Sequence, residues 1–515
     1  MRTKSTHAHS IAIAFFAVGA STGASARADT VTDWNQYTVE ATKGFTGSAT
    51  AGAGVTLDTN AGSRVEAIEA RAVFDAVDSI DHFSSGYYYY SGNQSGSAAA
   101  AVVTAAHDVI LAELPDPATD ATADPRWAGV RDWVDAQSAS DLNSLGVSTS
   151  DSGVAAGHLA AAAAVAARSI DGAIPLTSYG AQLAPTTNPG VGLWRQSNAG
   201  APYVDPITGA PTGFDSTGAV IQGKPGVDLN WRDVAPFALD VPALDAAVRL
   251  VPPSPAIGSR EYQAELGFVT SIGKDTSASR TADETAQALY YKQDAEIFAN
   301  ELARVASSLG RLKLDQNAVL FALLDEAIAD ARIGAFSSKY EQKFWRPITA
   351  VNADANGRVT NNYVLFHPLA ATPSHPSNTS GHSAVAAVTA EILRASFGSD
   401  RISPNGKAVT LGSLPWLAGT NSGTGNVATR SVSTFTELQL EAGASRIYLG
   451  VHFGFDNLQG QILGLAVADA VLRSGDPAAR GLHVPSSSAS QANLQATLLS
   501  RRDLYGYYGF DAGHN

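Results

Sequence analysis

The 515-residue sequence contains no cysteine. Disulfide bonds and cysteine-based metal sites are therefore excluded, and the fold depends on the packing of its apolar core. The only methionine is Met1. A chain without thiols and internal thioethers lacks the two side chains that are oxidised most readily, which would suit an enzyme that releases an oxidant. Compositional drift in a sequence rich in alanine and glycine explains this absence equally well.

Long apolar runs and nucleotide-binding motifs are also missing. No stretch approaches the roughly 18 consecutive apolar residues that a membrane-spanning helix requires. No glycine-rich phosphate loop follows a strand-like segment, so a nucleotide-binding fold is not indicated. Acidic residues outnumber basic ones, 48 to 34, and the formal net charge is -14. This charge argues against nucleic acids and anionic membranes as partners.

Residues 1–28 are typical of a signal peptide. Basic residues near the start precede the apolar run 11–18, and small residues end in Ala26-Arg27-Ala28, which resembles a cleavage site. We therefore expect a mature chain that begins near Asp29 and is secreted or periplasmic. Removing this segment removes three basic residues and no acidic one, so the net charge becomes -14 - 3 = -17. A buried N-terminal helix would not explain this order of charge, apolar run and small residues.

Helical periodicity dominates the rest of the sequence. Apolar residues recur at helical spacing, whereas strand-like alternation is sparse. The predicted helices include residues 64–77, 98–114, 157–170, 284–309 and 318–336. The last two are amphipathic, with charged residues on the face that should lie away from the core. The sequence therefore predicts an all-α protein.

Two long stretches rich in glycine, proline and small polar residues interrupt this pattern, at 175–236 and 403–429. The first is the natural boundary between two halves of the chain. We predict an N-terminal helical half with a connector loop, residues 29–235, and a C-terminal helical bundle, residues 236–515, that carries the functional site. Binding sites are often completed by long loops beside a rigid scaffold.

Three short motifs in the C-terminal half concentrate the reactive side chains. They are, in chain order, Lys339 with Arg346-Pro347, then Ser380-Gly381-His382, then Ser445-Arg446 with His452 and Asp456. Together they offer three cations, hydroxyl and backbone donors, and two histidines. These are the groups that a protein needs to hold an oxyanion and to transfer protons beside it. An enzyme that handles an oxyanion is therefore the leading hypothesis.

The spacing of the first two motifs makes local predictions. If the 318–336 helix continues, Lys339 and Arg346 lie nearly two turns apart on one face, and Pro347 ends the helix. A solvated, charged helix end would look similar. The Ser380-Gly381 pair opens the apolar run 384–393, so the positive end of a helix would face a bound anion.

The third motif contains a histidine and a carboxylate four residues apart. On a helix, His452 and Asp456 would share a face, and the carboxylate could orient the imidazole and fix its tautomer. A bend is needed between Arg446 and His452, and the glycines at 450 and 454 could supply it.

The three motifs resemble those of the superfamily that contains the vanadium-dependent haloperoxidases and the type 2 phosphatidic acid phosphatases. The segments KFWRP and SRIYLGVHFGFD look most similar to the haloperoxidase branch. Segments of the N-terminal half, such as DTVTDWNQYTVEA and NWRDVAPFAL, resemble exported bacterial members. The resemblance extends over nearly the whole mature chain. It implies two helical bundles with long glycine- and proline-rich loops, and a site in the second bundle.

The resemblance also implies vanadate as the cofactor and a role for each motif residue. His452 would bond the vanadium, Asp456 would steady His452, and His382 would act as the acid–base group. The vanadate oxygens would be neutralised by Lys339, Arg346, Arg446, Ser380 and the Gly381 amide. Such an enzyme oxidises a halide with hydrogen peroxide, which Lys339 would polarise. The product is a hypohalous-acid equivalent that a small organic acceptor can take up.

Residues just before the second motif bear on specificity. His375 stands where chloride-oxidising members tend to have an aromatic residue and bromide-oxidising members a histidine, so the resemblance implies that bromide or iodide is favoured. His375 could hydrogen-bond the peroxide or His382; alternatively it only caps the loop before Pro376. Asn378 and Thr379 replace the aromatic residue and the proline that are common in the family, and this could loosen the loop.

Alternative functions stay open. In an exported acid phosphatase, His452 would attack phosphorus and His382 would protonate the leaving oxygen. Since vanadate and phosphate are nearly isosteric, the motifs do not decide between these activities. A non-catalytic protein that sequesters an oxyanion would need neither histidine. A zinc site built from His375, His382 and His452 would lack an acidic ligand, and the nearby cations would repel a divalent metal.

Overall fold

The structure, a computed structural model, describes residues 29–44, 55–173, 190–194, 203–204, 211–212, 227–358, 365–412 and 429–480. These residues form fourteen α-helices and two small antiparallel sheets, so the all-α prediction is confirmed. The predicted signal peptide lies outside the described residues, as do most of the 175–236 connector and the middle of the 403–429 loop.

Five helices come from the N-terminal half. They are α1 (Thr30–Thr42), α2 (Thr59–Asp81), α3 (Ala98–Glu113), α4 (Trp127–Ser144) and α5 (Ser152–Arg168). Aspartates cap several of them; Asp29 accepts a hydrogen bond at the start of α1 and Asp151 does so at α5. Helices α2, α3 and α5 pack against one another. Gly157 permits this contact, since a Cβ there would lie 2.5 Å from the carbonyl oxygen of Ala101.

Nine helices follow in the C-terminal half. They are α6 (Val241–Val248), α7 (Arg260–Ile272), α8 (Ala282–Tyr290), α9 (Ala295–Gly310), α10 (Leu314–Gln342), α11 (Pro347–Asn352), α12 (Gly381–Phe397), α13 (Phe435–Tyr448) and α14 (Gly454–Arg473). A 3₁₀ turn, Leu229–Asp233, precedes them. The short strands are β1 (Tyr203–Val204), paired with β2 (Pro211–Thr212), and β3 (Val409–Leu411), paired with β4 (Arg430–Val432).

Helix α10 is the central element of the bundle. It has 29 residues, most of them buried, and packs against α2 on one side and α12 on the other. One apolar core runs from Val31 to Ala479 and includes residues from both predicted halves. The division at residues 235 and 236 stays a prediction.

The contact between α12 and α14 fixes the second and third motifs relative to each other. A Cβ at Gly460 would lie 2.4 Å from the carbonyl oxygen of Ser380, and one at Gly464 would lie 2.2 Å from that of Ala384. Only glycine allows the two helices to approach so closely. The start of α12 is therefore held against α14, whose first turn contains Asp456.

Two helix boundaries differ from the predictions. The predicted 284–309 helix is two helices, α8 and α9, because Asp294 adopts the extended conformation of a helix N-cap. Helix α10 ends at Gln342, and Lys343 is left-handed. Arg346 is extended and Pro347 begins α11, since proline is favoured at the first helical position, where no N–H is needed. Helix α10 therefore does not continue to Arg346, and the condition under which Lys339 and Arg346 would share a helical face is not met. The prediction that Pro347 ends a helix was wrong.

Among the helices in the described ranges, none is both long enough and apolar enough to span a membrane.

Candidate active site

The three motifs meet at one cavity of about 580 Å³. This volume lies in the range of small-molecule sites. Its wall includes six of the predicted site residues, namely Lys339, His375, Gly381, His382, Arg446 and His452. Arg346 and Ser380 are fully buried and lie directly behind this wall, next to residues that form it. Asp456 is also fully buried and contacts His452.

Lys339 and Arg346 are held by backbone carbonyl groups. The Lys339 ammonium donates to the carbonyl oxygens of Pro376 and Ser377, each at 3.0 Å. Arg346 donates through Nε to the His375 carbonyl oxygen at 2.9 Å and through Nη1 to that of Val451 at 2.7 Å. These bonds fix the positions of the cations but do not neutralise their charge.

Arg446 approaches the cavity from the last turn of α13. Its Nη1 donates to the Tyr291 carbonyl oxygen at 3.1 Å. Its Nε is buried and has no hydrogen-bond acceptor among the described residues. A buried N–H without an acceptor is costly, so this atom favours the binding of a ligand that can accept its hydrogen bond.

Within the described ranges, no carboxylate forms an ion pair with Lys339, Arg346 or Arg446. By contrast, Arg71 lies 2.8 Å from Glu326 and Arg332 lies 2.6 Å from Glu296. Burial lowers the pKa of each arginine to about 9, and Arg346 adds to the effect at Arg446. Burial, and then Arg346, lowers the pKa of Lys339 well below its ordinary value. The cavity wall is therefore electropositive and suited to an anion.

His452 is oriented by a carboxylate. Its Nδ1 lies 3.0 Å from Oδ2 of Asp456, and the same oxygen accepts hydrogen bonds from the Ser377 hydroxyl at 2.5 Å and the Phe453 amide at 3.1 Å. The prediction that both residues share a helical face was wrong: His452 precedes α14, and Asp456 reaches back from its first turn. The network assigns the proton to Nδ1, so Nε2 keeps its lone pair and accepts from Arg346 Nη1 at 3.0 Å.

The titration of this pair follows from its surroundings. Burial, followed by Arg346 and Lys339, lowers the pKa of His452 well below its ordinary value. Burial raises the pKa of Asp456 to about 6, although the hydrogen bond from Ser377 opposes the change. His452 is therefore a neutral imidazole at pH 7, with Nε2 available as a ligand or a nucleophile.

The second motif forms the N-terminus of α12. Ser380 caps the helix by accepting a hydrogen bond from the Ser383 amide at 3.3 Å, and Gly381 is the first helical residue. His382 Nε2 lies 2.9 Å from the Gln293 carbonyl oxygen and must donate to it. Nδ1 is then unprotonated and has no partner in the described parts of the chain. Burial, and then Arg446, lowers the pKa of His382 well below its ordinary value.

His375 lies in the cavity wall. Its ring packs on Phe336, with centroids 5.1 Å apart, and its Nδ1 is 2.9 Å from Arg346 Nη2 and 3.2 Å from the Pro376 carbonyl oxygen. One nitrogen cannot accept from the first and donate to the second at once. The shorter contact, with an obligate donor, assigns Nδ1 as an acceptor. His375 thus contacts the site instead of only capping the loop.

The prediction of a loosened loop at Asn378 and Thr379 was wrong. Both residues are fully buried. The Thr379 hydroxyl lies 2.9 Å from that of Ser338, and the Asn378 amide donates to Ser254 at 2.5 Å and to Gln459. Side-chain hydrogen bonds therefore fix this segment where proline is usual in the family.

Two comparisons of the sequence agree with the geometry. The sequence model of the VCPO second helical-bundle domain matches residues 319–479, which contain all three motifs. The vanadium chloroperoxidase of Curvularia inaequalis is 28% identical over 227 residues, which cover 35% of this chain and 37% of that protein. The second half of the chain is therefore similar in sequence to the vanadium-dependent haloperoxidases.

Solved haloperoxidase structures extend the similarity in fold over most of the chain. A bacterial vanadium-dependent iodoperoxidase matches with a TM-score of 0.60 and 18% identity, over 86% of this chain and 96% of that one. A holo-type bacterial vanadium-dependent chloroperoxidase matches with a TM-score of 0.59 and 19% identity, over 81% and 92%. The predicted haloperoxidase-like architecture of helical bundles is confirmed.

Sequence reasoning missed several residues of this haloperoxidase-like cavity. Arg332 and Phe336 of α10 line it, together with Asp58 at the start of α2, Asp228 and Asp294. The seven-residue spacing between Arg332 and Lys339 was a usable signal, because it puts both on one face of α10. In the described residues, no group of three or more histidines and carboxylates is arranged to hold a metal ion, which gives no support to the zinc alternative.

Proposed function

We propose that this protein is a vanadate-dependent haloperoxidase that oxidises bromide or iodide with hydrogen peroxide to a hypohalous-acid equivalent. The observation that carries the proposal is a set of three buried cations that form no ion pair with a carboxylate of the described residues, at a cavity lined also by two neutral histidines. Fixed positive charge of this kind stabilises a permanently bound anion and the negative charge that develops on it during a reaction.

The donor set fits vanadate. Lys339, Arg346 and Arg446 would neutralise its oxygens, with the Ser380 hydroxyl and the Gly381 amide at the positive end of α12. Arg446 Nε, a buried donor that lacks an acceptor, would gain one. The Nε2 lone pair of His452 would be the protein's bond to the metal. When bound, vanadate supplies a Lewis acid that activates hydrogen peroxide without changing its own oxidation state.

The protein residues then position groups and move protons. Asp456 keeps the His452 proton on Nδ1, so that Nε2 stays a ligand. His382 offers its free Nδ1 to the cavity as the acid–base group. The reaction consumes one halide, one hydrogen peroxide and one proton, and it yields hypohalous acid and water; the halide loses two electrons to the peroxide. Lys339 would polarise the peroxide, and a small organic acceptor would receive the oxidised halogen.

The preference for bromide or iodide rests on His375. Its Nδ1 already accepts from Arg346, so the ring adds a polar edge to a wall that Phe336 makes apolar. Chloride is harder to oxidise and more strongly hydrated than bromide, and it needs a drier pocket.

An acid phosphatase is the second candidate. It is favoured by the same neutral His452, whose Nε2 lone pair could attack phosphorus while His382 protonates the leaving oxygen. Both activities would use the same cations, because phosphate and vanadate have nearly the same shape.

A paired assay on one preparation tests the proposal. Protein freed of metal and phosphate should gain peroxide-dependent bromination when vanadate is added, and added phosphate should compete for the cavity. Hydrolysis of a phosphate ester should be measured in parallel. Bromination that survives complete removal of vanadate would contradict the proposal, and ester hydrolysis without any bromination would support the phosphatase.

A further inference from the structure

Arg332 is a fourth buried cation at the cavity, outside the three motifs. It lies on α10, seven residues before Lys339, and its side chain is almost fully buried. Although α10 was expected to turn its charged residues away from the core, Arg332 points inward and forms part of the cavity wall.

Glu296, in the first turn of α9, holds one edge of the Arg332 guanidinium. Nε lies 2.6 Å from Oε1 and Nη2 lies 2.9 Å from Oε2, which is a two-point contact between fully buried groups. Such a contact fixes the plane of the guanidinium and leaves one nitrogen, Nη1, to point elsewhere. Burial alone would lower the pKa of Arg332, but Glu296 raises it, so the charge persists at any ordinary pH.

The Nη1 atom faces the start of α12. A Cβ added to Gly381 would lie 3.0 Å from Nη1, so the missing side chain of this glycine lets the guanidinium approach the first helical residue. Nη1 forms no hydrogen bond with the residues that the structure describes. Asp294 and Asp58 also line the cavity and favour the charged form of Arg332. The positive N–H nevertheless faces the positive end of a helix, where a bound anion would relieve the repulsion.

We propose that Arg332 is a further anion-binding residue of this site, and that its Nη1 donates to an oxygen of the tetrahedral oxyanion held at the Gly381 amide. Glu296 is a positioning residue that aims Nη1. The inference rests on the proposed function only in requiring that the cavity binds an oxyanion. It adds a cation that the motif pattern does not contain.

The alternative is that the Arg332–Glu296 pair only braces α9 against α10. The anion-binding role and the bracing role predict opposite effects of a Glu296 substitution on anion binding. If Nη1 binds the anion, removing the charge of Glu296 leaves Arg332 more positive and strengthens binding, whereas removing Arg332 weakens it. If the pair is only a brace, both substitutions loosen the same contact and act on binding in the same direction.

The test measures the dissociation constants of inorganic phosphate and of orthovanadate for the vanadate-free protein, by calorimetry and equilibrium dialysis. Arg332→Gln should weaken the binding of both ions about tenfold or more, as expected for a charge-assisted hydrogen bond. Glu296→Gln should strengthen it. The double variant, which leaves no unpaired buried carboxylate, should also weaken it, although less than Arg332→Gln does, because the charge of Glu296 no longer opposes the anion. It replaces that variant if the single change prevents folding.

A matched control exists in the same core. Arg71 of α2 pairs with Glu326 of α10, with Nε 2.9 Å from Oε2, and neither residue lines the cavity. Arg71→Gln/Glu326→Gln should leave both dissociation constants unchanged. Loss of binding in Glu296→Gln, or an Arg332→Gln affinity equal to that of this control, would overturn the inference.

Failure of the inference and failure of the proposed function give different results. If the wild type brominates and Arg332→Gln binds both ions normally, only the role of Arg332 is contradicted. If the variants bind phosphate in the predicted pattern but the wild type never brominates, only the haloperoxidase assignment is contradicted. Wild-type protein that binds neither ion overturns both.

Discussion

Buried cations occur in two regions of this protein, and their surroundings differ. In the bundle core, Arg71 lies 2.8 Å from Glu326, and Arg64, at the edge of that core, lies 2.8 Å from Asp171. At the cavity, the hydrogen-bond partners of Lys339, Arg346 and Arg446 in the described part of the chain are carbonyl oxygens and, for Arg346, the ring nitrogens of His375 and His452. Both regions desolvate positive charge, but these three cations, unlike Arg71, Arg64 and also Arg332, form no ion pair with a carboxylate of the described residues.

The difference is visible in the direction of the pKa shifts. Burial alone lowers the pKa of a cation. At Arg71 and Arg64 the neighbouring carboxylates outweigh burial, and the pKa is raised. At Lys339, Arg346 and Arg446 burial prevails, and the pKa is lowered. Paired charges stabilise the bundle core, whereas the three cavity cations form no ion pair within the described residues. This difference indicates that a ligand supplies the missing negative charge at the cavity.

The largest expected effect separates the two histidines of the cavity. His452→Ala should abolish vanadate binding, because the nitrogen that would bond the metal is lost. His382→Ala should keep vanadate but lose turnover by a factor of about 10²–10⁴, the usual contribution of a general acid–base group. Vanadate retained after dialysis and the rate of bromination measure the two effects. Equal loss of vanadate in both variants would show that the roles are misassigned.

The second prediction compares one cation from each region directly. Arg71→Met leaves Glu326 buried without its cationic partner and should reduce the free energy of unfolding by about 3–5 kcal/mol. Lys339→Met should cost less in the anion-free protein, because it also removes repulsion from Arg346. Denaturant unfolding gives both values.

Phosphate provides the control for this comparison. A ligand that binds only the folded state raises the free energy of unfolding. Added phosphate should therefore stabilise the wild type and Arg71→Met but not Lys339→Met. Equal stabilisation of all three proteins would mean that phosphate binds elsewhere.

How much of the site and the fold the sequence predicts depends on whether a residue belongs to a recognisable motif or only to a periodic pattern. The motif residues were identified because their types and order are themselves a chemical pattern, and five of them line one cavity. Helix positions were largely predictable from periodicity. Helices α2 and α10 contain the predicted ranges 64–77 and 318–336, and α3 and α5 end one and two residues before the predicted ends at 114 and 170. The break at Asp294 was not, because amphipathic periodicity continues across the two helices that flank it.

Arg332 is the clearest example of a site residue that sequence periodicity does not predict. Helical periodicity separates an apolar face from a polar one, and it assigns charged residues to solvent by default. Helix α10 is buried on nearly all sides and borders a polar cavity inside the core. The assignment of its charged residues to solvent is therefore wrong for Arg332. Only tertiary contacts, here with Glu296 and Gly381, distinguish an inward arginine from an outward one.

The third prediction concerns the uptake of a proton by Lys339 when an anion binds to the cavity. In the anion-free protein the pKa of Lys339 is lowered by burial and by Arg346, and a bound anion should raise it again. Between these two pKa values, binding takes up a proton, and affinity should fall as pH rises through that window. Phosphate calorimetry in two buffers of different ionisation enthalpy measures the uptake.

The control variant for this measurement is Lys339→Arg. It keeps a positive charge that does not titrate in the same range, so its proton uptake should be smaller by the contribution of Lys339. Identical uptake in the two proteins would place the titrating group elsewhere, for example on phosphate itself.

The smallest expected effect concerns the halide and the polar edge that His375 adds to the cationic wall. His375 accepts a hydrogen bond from Arg346 Nη2 at 2.9 Å, and its loss frees that donor while Phe makes the wall drier. His375→Phe should raise the rate with chloride relative to that with bromide by roughly fivefold, which corresponds to about one hydrogen bond of ~1 kcal/mol. Steady-state rates with chloride, bromide and iodide for both proteins give the ratio. Because Arg346 also contacts His452, vanadate affinity must be measured in the same variant. An unchanged halide ratio with unchanged affinity would remove His375 from the specificity of the site, whereas efficient chloride oxidation by the wild type would contradict the preference itself.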